Sequence, residues 1–176
     1  GKLKKNKIYL NNTNGLIEQF EGYFELKDAV INKWDSNNMP IIPDELLGVK
    51  RDETCILKQA DVVMLMFLLE HDFDIDTQRI NYEYYEQRTL HRSSLSPSVH
   101  CMMGLRVGDY KRAYDYLERS AYVDIYNNQG NTREGIHAAS AGGSWQSVTL
   151  GYGGMSVDND GLLVFNPRLP EKWEYI

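Results

Sequence analysis

The chain has 176 residues, of which 42% are hydrophobic and 25% charged, and its net charge is −6. This length and composition predict one globular domain with a sizeable core and exclude a disordered chain. The negative charge argues against nucleic-acid and membrane partners, because no large basic face is available to neutralise phosphates. The longest apolar run, residues 62–69, is too short to span a bilayer, and no signal-peptide pattern opens the chain. We therefore expect a cytoplasmic protein.

Residues 1–51 form a loop-rich N-terminal segment with two prolines and two asparagine pairs, which predicts at most one or two short elements. Residues 52–153 are predicted to be a helical domain with two free, buried cysteines, Cys55 and Cys101. Residues 154–176 are predicted to start a β segment, with a hairpin around Asn159-Asp160-Gly161.

The helical domain contains five predicted helices, each with a periodic apolar pattern or a capping signal. Short connections make neighbouring helices antiparallel, and a nearly all-apolar helix followed by an amphipathic one predicts an inner and an outer layer. We therefore predict a mainly helical toroid. Its helices are Ile56–Glu70, Thr77–Arg88 capped by Asp76, a helix from Ser96-Pro97 to Gly108, one from Asp109 to Ala121, and Ser144–Leu150.

Polar side chains open the most apolar of these helices, in Lys58-Gln59-Ala60-Asp61. Lysine and glutamine are costly to bury without partners, and a lysine near a helix N-terminus opposes the helix dipole. An anionic or polyhydroxyl ligand would explain them. An ion pair between Lys58 and Asp61 is the structural alternative.

A second polar cluster links two helices in residues 89–96, with one imidazole, one guanidinium and three serine hydroxyls. These groups suit hydrogen bonding to sugar or phosphate, although helix capping by Ser96 and an ordinary loop explain them equally well. The third cluster, residues 131–145, combines His137 with small residues that let backbone N–H groups approach an anion. Close helix packing is its alternative explanation.

The sequence has no metal-ligand spacing among its histidines and cysteines, no phosphate-binding Walker loop and no G-x-S-x-G element. We therefore expect neither a metal nor another cofactor.

Taken in order, three segments resemble the motifs of glycoside hydrolase family 65, which contains maltose, kojibiose, nigerose and trehalose phosphorylases. They are Lys58-Gln59-Ala60-Asp61-Val62, His91-x-Ser93-Ser94-Leu95-Ser96-Pro97-x-x-His100 and Glu134-Gly135-Ile136-His137-x-x-Ser140-x-Gly142-Gly143-x-Trp145. The resemblance implies an all-α fold, part of an (α/α)6 barrel, followed by a short C-terminal β-hairpin. It also implies inverting phosphorolysis, in which phosphate attacks the anomeric carbon of an α-glucosyl disaccharide and a glutamic acid protonates the leaving oxygen. The products would be β-glucose 1-phosphate and a free sugar.

Carried over by position, the resemblance assigns Lys58 and Gln59 to the glucosyl unit. It assigns phosphate binding, with phosphate as co-substrate, to His137, Ser140, Gly142, Gly143 and Ser144, and a supporting role to Ser93 and Ser94.

The family's general acid lies in an Asp-Glu-Tyr-type segment before the Lys-Gln motif, and nothing in this chain matches it. We therefore expect a fragment that is inactive alone and whose open barrel self-associates or binds the remainder of the barrel. Two alternatives stay open: a hydrolase of the same family, in which Glu134 activates water, and a non-catalytic carbohydrate-binding fragment.

Overall fold

The computed structural model describes residues 15–36, 39–59, 61–158 and 160–174. Residues 1–14, the Asn37-Asn38 pair and the hairpin residue Asn159 lie outside the described residues. The described part contains five α-helices and one β-hairpin, as predicted. The helices are α1 Asp61–Leu68, α2 Ile75–Glu86, α3 Ser96–Val107, α4 Tyr110–Ala121 and α5 Ala138–Gln146.

Helix α1 begins five residues later than predicted, because the preceding residues pair with another segment. The Leu57 N–H donates to the Arg88 carbonyl at 2.8 Å, and the Leu90 N–H donates to the Leu57 carbonyl at 2.8 Å. These bonds hold Leu57 in an extended conformation. Lys58 and Gln59 therefore precede the helix instead of lying in its first turn.

Helix α2 is capped by Asp74 and not by Asp76, so that prediction was wrong by two residues. The Asp74 carboxylate accepts from the Thr77 N–H at 2.8 Å and from the Thr77 hydroxyl at 2.9 Å. Asp76 instead forms an ion pair with Arg79 one turn later, at 2.9 Å. Both oxygens of the Asp74 carboxylate thus accept hydrogen bonds from Thr77 in the first turn of α2.

The predicted junction between α3 and α4 is confirmed. Helix α3 ends at Gly108, which has a φ of +93° and so suits a residue without a Cβ. Asp109 caps α4 by accepting from the Arg112 N–H at 3.3 Å. The start of α3 differs in detail, because Leu95 is its N-cap residue and the Ser96 hydroxyl bonds elsewhere.

The helices form two layers, with α1, α3 and α5 in one and α2 and α4 in the other. Helix α3 is buried along almost its whole length and packs against every other helix. The layer of α1, α3 and α5 is parallel: Gln59 and Ser96 line one cavity at the N-terminal ends of α1 and α3. Arg106 and Glu70 form an ion pair at the other end. The two-layer helical prediction is confirmed.

Helix α5 begins at Ala138, six residues earlier than predicted, and continues as a π-helix, Ser147–Tyr152. In that segment the Gly153 N–H donates to the Val148 carbonyl at 2.7 Å, five residues back. A Cβ on Gly151 would lie 3.0 Å from Leu105 Cδ1, so the π segment packs closely on α3.

The described part of the N-terminal segment contains two 3₁₀-helices, Tyr23–Glu25 and Asp44–Leu46, and a third, Arg51–Glu53, begins at its last residue. A bidentate ion pair ties this segment to the end of α2. Arg88 donates to both oxygens of Asp28, at 2.7 and 2.6 Å, and its guanidinium lies 3.8 Å from the ring centre of Tyr84.

The hairpin is confirmed: β1, Met155–Val157, pairs antiparallel with β2, Leu163–Phe165, and Met155 lies opposite Phe165. Cys55 and Cys101 are both buried and unpaired, as predicted. Among the described residues, no helix is long and apolar enough to cross a membrane.

Candidate functional site

The three polar clusters precede three parallel helices. Lys58 and Gln59 come before α1, Ser93 and Ser94 come before α3, and His137 is the N-cap residue of α5. Two contacts along each pair of helices fix the parallel direction. Gln59 shares a cavity with Ser96 while Glu70 pairs with Arg106, and Gly143 lies against Ser98 while Gly151, farther along, lies against Leu105. Since each helix N-terminus carries a partial positive charge, the parallel layer places three such charges at the same end.

The loop before α1 presents Lys58 and Gln59 to solvent, and both side chains are exposed. Within the part of the chain that the structure describes, Lys58 forms no ion pair, so the pairing with Asp61 that the sequence left open is not formed. Gln59 borders a cavity of about 50 Å³ whose wall also includes Ser96 and His100. The cavity therefore lies between the first polar cluster, which contains Gln59, and the second, which contains Ser96.

A buried chain of hydrogen bonds fixes the start of α3. The Ser96 hydroxyl and His91 Nδ1 lie 2.8 Å apart, and His91 Nε2 and the Tyr116 hydroxyl lie 2.7 Å apart. Tyr116 donates to Glu86 at 3.0 Å. Because an ionised carboxylate only accepts, Tyr116 accepts from His91 Nε2, and Nδ1 accepts from Ser96. Burial raises the pKa of Glu86, an effect that Arg112 at 3.2 Å opposes.

His91 adopts a left-handed backbone conformation, with φ of +50°, which is uncommon for a residue with a Cβ. Hydrogen bonds to both ring nitrogens hold it there, and burial lowers its pKa well below the usual value. The imidazole is therefore neutral near pH 7 and links α4 to the turn before α3.

His100 lies beside this network, fully buried, with its ring 4.5 Å from that of His91. Nδ1 donates to the Ser96 carbonyl at 3.0 Å, because that carbonyl can only accept. Within the described residues Nε2 has no hydrogen-bond partner. Burial lowers the pKa of His100 to about 4, so Nε2 carries a lone pair at neutral pH. His100 is thus a core histidine with only one of its two ring nitrogens hydrogen-bonded.

At the start of α5, His137 is held by one carboxylate at two points. The Asp124 side chain accepts from the His137 backbone N–H at 2.7 Å and lies 2.5 Å from Nδ1. These bonds from His137 lower the pKa of Asp124, which is therefore ionised at neutral pH. Nδ1 consequently carries a proton, and the opposite nitrogen, Nε2, lies 3.3 Å from the Asn131 amide nitrogen.

Two of the serines assigned to phosphate take part in contacts between α4 and α5. The buried Ser140 hydroxyl donates to the Ser120 carbonyl at 2.9 Å. The Ser144 hydroxyl lies 2.8 Å from the Ser140 carbonyl and 3.0 Å from the Ser120 hydroxyl. In this conformation both hydroxyls support helix packing, and their role toward phosphate stays a prediction.

The paired glycines of α5 have different surroundings. A Cβ on Gly143 would lie 2.4 Å from Ser98 Oγ and 2.7 Å from Ser98 Cβ, so the missing side chain lets α3 and α5 approach closely. A Cβ on Gly142 would meet nothing within 4 Å. Close packing therefore explains Gly143, whereas packing gives no reason for a glycine at position 142.

We expect Gly143→Ala to destabilise the protein by about 1–3 kcal/mol, because the added methyl group overpacks the α3–α5 contact. Gly142→Ala is the matched control, and should raise helix stability by up to about 1 kcal/mol. Denaturant unfolding of both variants measures the difference. Equal stabilities would contradict the packing role of Gly143, and a higher KM for phosphate in Gly142→Ala alone would support the predicted backbone approach there.

The remaining predicted residues lie in exposed or partly exposed positions. Ser93 accepts from the Leu95 N–H at 3.4 Å, and Ser94 is half-buried in the same loop. Glu134 is exposed at the end of the 3₁₀-helix Thr132–Glu134, and Trp145 is 62% exposed. Among the described residues, no group of histidine, cysteine and acidic side chains could hold a metal ion.

Sequence reasoning missed Asp124 and the partners of His91. Asp124 lies 13 positions from His137 and Glu86 lies 30 from Tyr116, so no local pattern connects them. One of these contacts could have been predicted from the sequence, because His91 lies five residues before Ser96, the first residue of α3.

The family comparison agrees with the fold and the three clusters. Residues 3–146 match the model of the glycosyl hydrolase family 65 central catalytic domain, so this chain belongs to glycoside hydrolase family 65. Its fold is accordingly part of an (α/α)6 barrel.

Relatives and a solved structure extend the comparison. Kojibiose phosphorylase of Thermoanaerobacter brockii is 59% identical over 170 residues, covering 96% of this chain and 22% of the relative. Alpha,alpha-trehalose phosphorylase of Geobacillus stearothermophilus is 36% identical over 147 residues, covering 80% and 19%. A solved structure designated a kojibiose phosphorylase from the human microbiome superposes with a TM-score of 0.79 at 33% identity, covering 95% and 22%. The chain thus spans about a fifth of the length of these proteins.

Proposed function

We propose that the protein carrying this chain is an inverting disaccharide phosphorylase. It cleaves an α-glucosyl disaccharide with inorganic phosphate and releases β-glucose 1-phosphate and a free sugar. The observation that carries the proposal is the placement of three polar clusters before three parallel helices. The relatives support it, since those compared above are named as phosphorylases.

In this proposal the chain supplies two parts of the site. Lys58 and Gln59, exposed before α1, bind the hydroxyl groups of the glucosyl unit. His137 and the first turn of α5 bind phosphate, helped by the partial positive charge of the helix N-terminus. Phosphate is already an anionic nucleophile, so the site has to orient it without removing a proton.

The general acid is assigned outside this chain. An inverting mechanism needs one carboxylic acid to protonate the leaving oxygen while the nucleophile attacks from the opposite face of the sugar. Gly142 and Ser144 of α5, and Ser93 and Ser94 before α3, are proposed to support the phosphate, whereas Ser140 acts through its contact with Ser120. No cofactor is required for these steps.

A hydrolase of the same family is the second candidate. Glu134 is exposed and lies three residues before His137, and in this alternative its carboxylate activates the attacking water. The two candidates differ in the nucleophile, which is phosphate in the phosphorylase and water activated by Glu134 in the hydrolase.

The complete protein should be incubated with kojibiose, maltose, nigerose or trehalose, with and without phosphate. We expect one disaccharide to yield equal amounts of glucose 1-phosphate and free sugar, with loss of inorganic phosphate and the β anomer visible by proton NMR. Two free sugars formed at a rate independent of phosphate would instead establish the hydrolase. The cytoplasmic location and the self-association of this chain stay predictions.

A further inference from the structure

Within the described part of the chain, Asp124 is the acidic residue that contacts the proposed phosphate-binding histidine. It lies in the turns after α4, and both of its oxygens bond to His137, one to the backbone N–H and one to Nδ1. The Asp124 side chain is 25% exposed and that of His137 is 17% exposed, so the pair lies at the border of the core. This two-point contact fixes the backbone at the N-cap of α5 and the plane of the ring together.

The chemistry of this contact determines what the other ring nitrogen can do. Because the carboxylate accepts only, Nδ1 holds its proton, and Nε2, which lies 3.3 Å from the Asn131 amide nitrogen, is the ring nitrogen that faces a ligand, either as an Nε2–H donor to an oxyanion or as the acceptor of a phosphate hydroxyl. An oxyanion at Nε2 would lie on the ring edge opposite Asp124, where repulsion between the two negative groups is smallest. An acidic residue beside an anion site is thereby compatible with anion binding.

We propose that Asp124 is a positioning residue for phosphate, which acts by presenting His137 Nε2 to the anion. This inference rests on the proposed function. Carboxylates that hold the remote nitrogen of a metal-ligating histidine have the same geometry, and their removal typically costs ~10–100-fold in affinity or activity. We expect removal of the Asp124 carboxylate to cause a similar loss in kcat/KM for phosphate and little change in KM for the disaccharide.

The substitution that tests the role is Asp124→Asn in the complete protein. Asp124 uses a different oxygen for each of its two bonds to His137, so asparagine, which has an NH2 group in place of one oxygen, can keep only one of them in this geometry. We expect kcat/KM for phosphate to fall ~10–100-fold, while KM for the disaccharide changes less than twofold. Asp115→Asn is the matched control, since Asp115 is an exposed carboxylate on α4 that pairs with Lys111 at 3.1 Å.

A double-mutant cycle separates positioning from a purely structural role. If Asp124 acts through His137, adding Asp124→Asn to His137→Ala should cause no further loss in kcat/KM for phosphate. Additive losses, or Asp124→Asn kinetics equal to those of Asp115→Asn, would overturn the inference and leave the proposed function intact. If the unaltered protein consumes no phosphate, the proposed function and the inference fail together.

Folding of the variant is checked independently. Thermal melts of Asp124→Asn and Asp115→Asn should agree within a few degrees. If Asp124→Asn yields no folded protein, Asp124→Glu keeps the carboxylate one methylene farther out and should still show a phosphate-specific loss smaller than 100-fold. Loss of disaccharide and phosphate affinity to the same extent in Asp124→Glu would contradict the positioning role.

Discussion

Supplied with phosphate and kojibiose, maltose, nigerose or trehalose, the 176-residue chain alone should form no detectable glucose 1-phosphate. The proposed reaction needs a carboxylic acid to protonate the leaving oxygen, and the family's acid segment has no counterpart in this sequence. Proton transfer by a placed acid commonly contributes ~10²–10⁴-fold to the rate. The chain spans 22% of the kojibiose phosphorylase relative, and we expect any sugar contacts made by the remaining length to increase the loss.

The complete protein, assayed at equal molar concentration, is the control for this prediction. Circular dichroism should first establish that the isolated chain is helical, so that inactivity is not caused by unfolding. Equilibrium dialysis against glucose would then test the carbohydrate-binding alternative. Turnover within tenfold of the complete protein would contradict the assignment of the acid to a residue outside this chain.

Replacing His137 by alanine in the complete protein should lower kcat/KM for phosphate by roughly 10–200-fold. A hydrogen bond to a charged group contributes about 1.5–3 kcal/mol, and each 1.4 kcal/mol corresponds to a factor of ten. KM for phosphate should rise and kcat should fall, whereas KM for the disaccharide should stay nearly unchanged. Stability should change little, because the Asp124 carboxylate keeps its bond to the backbone N–H of residue 137.

His71→Ala is the matched control, since the His71 side chain is 74% exposed and pairs with its neighbour Glu70, at 3.4 Å. Steady-state kinetics with phosphate varied at saturating disaccharide, together with thermal melts, decide the outcome. If His137→Ala melts several degrees lower and still uses phosphate normally, the residue serves the core and the proposed phosphate site is wrong.

The fold was predictable where one residue decides the local structure. Gly108 ends α3 and Asp109 starts α4 through backbone requirements that adjacent residues satisfy. The start of α1 was not predictable, because Leu57 bonds to Arg88 and Leu90, more than 30 positions away. The early start of α5 escaped prediction because Ala138 to Gly143 lack the apolar periodicity that indicates a helix.

Of the candidate site, the sequence predicted the clusters but not their internal contacts. The motif resemblance predicted ligand-binding roles for His137 and Gln59 from the residues next to them in the sequence. The contacts of Asp124 and Tyr116 could not be predicted from the sequence, because they form only when α4 and the turns after it pack against other segments. Ser140 shows the converse case, since its motif position indicates phosphate while its hydroxyl lies between two helices.

The π-helix after α5 makes this part of the chain sensitive to insertions. A π turn holds one residue more than an α turn, so a one-residue deletion within Ser147–Tyr152 can be absorbed by a return to regular α winding, whereas a one-residue insertion before Gly151 would rotate the residues after it by about 100°. Gly151 would turn away from Leu105, and the bond from the Arg168 N–H to the Tyr152 carbonyl, now 2.7 Å, would break. Insertions should therefore be far rarer in this stretch than in the loop between α4 and α5.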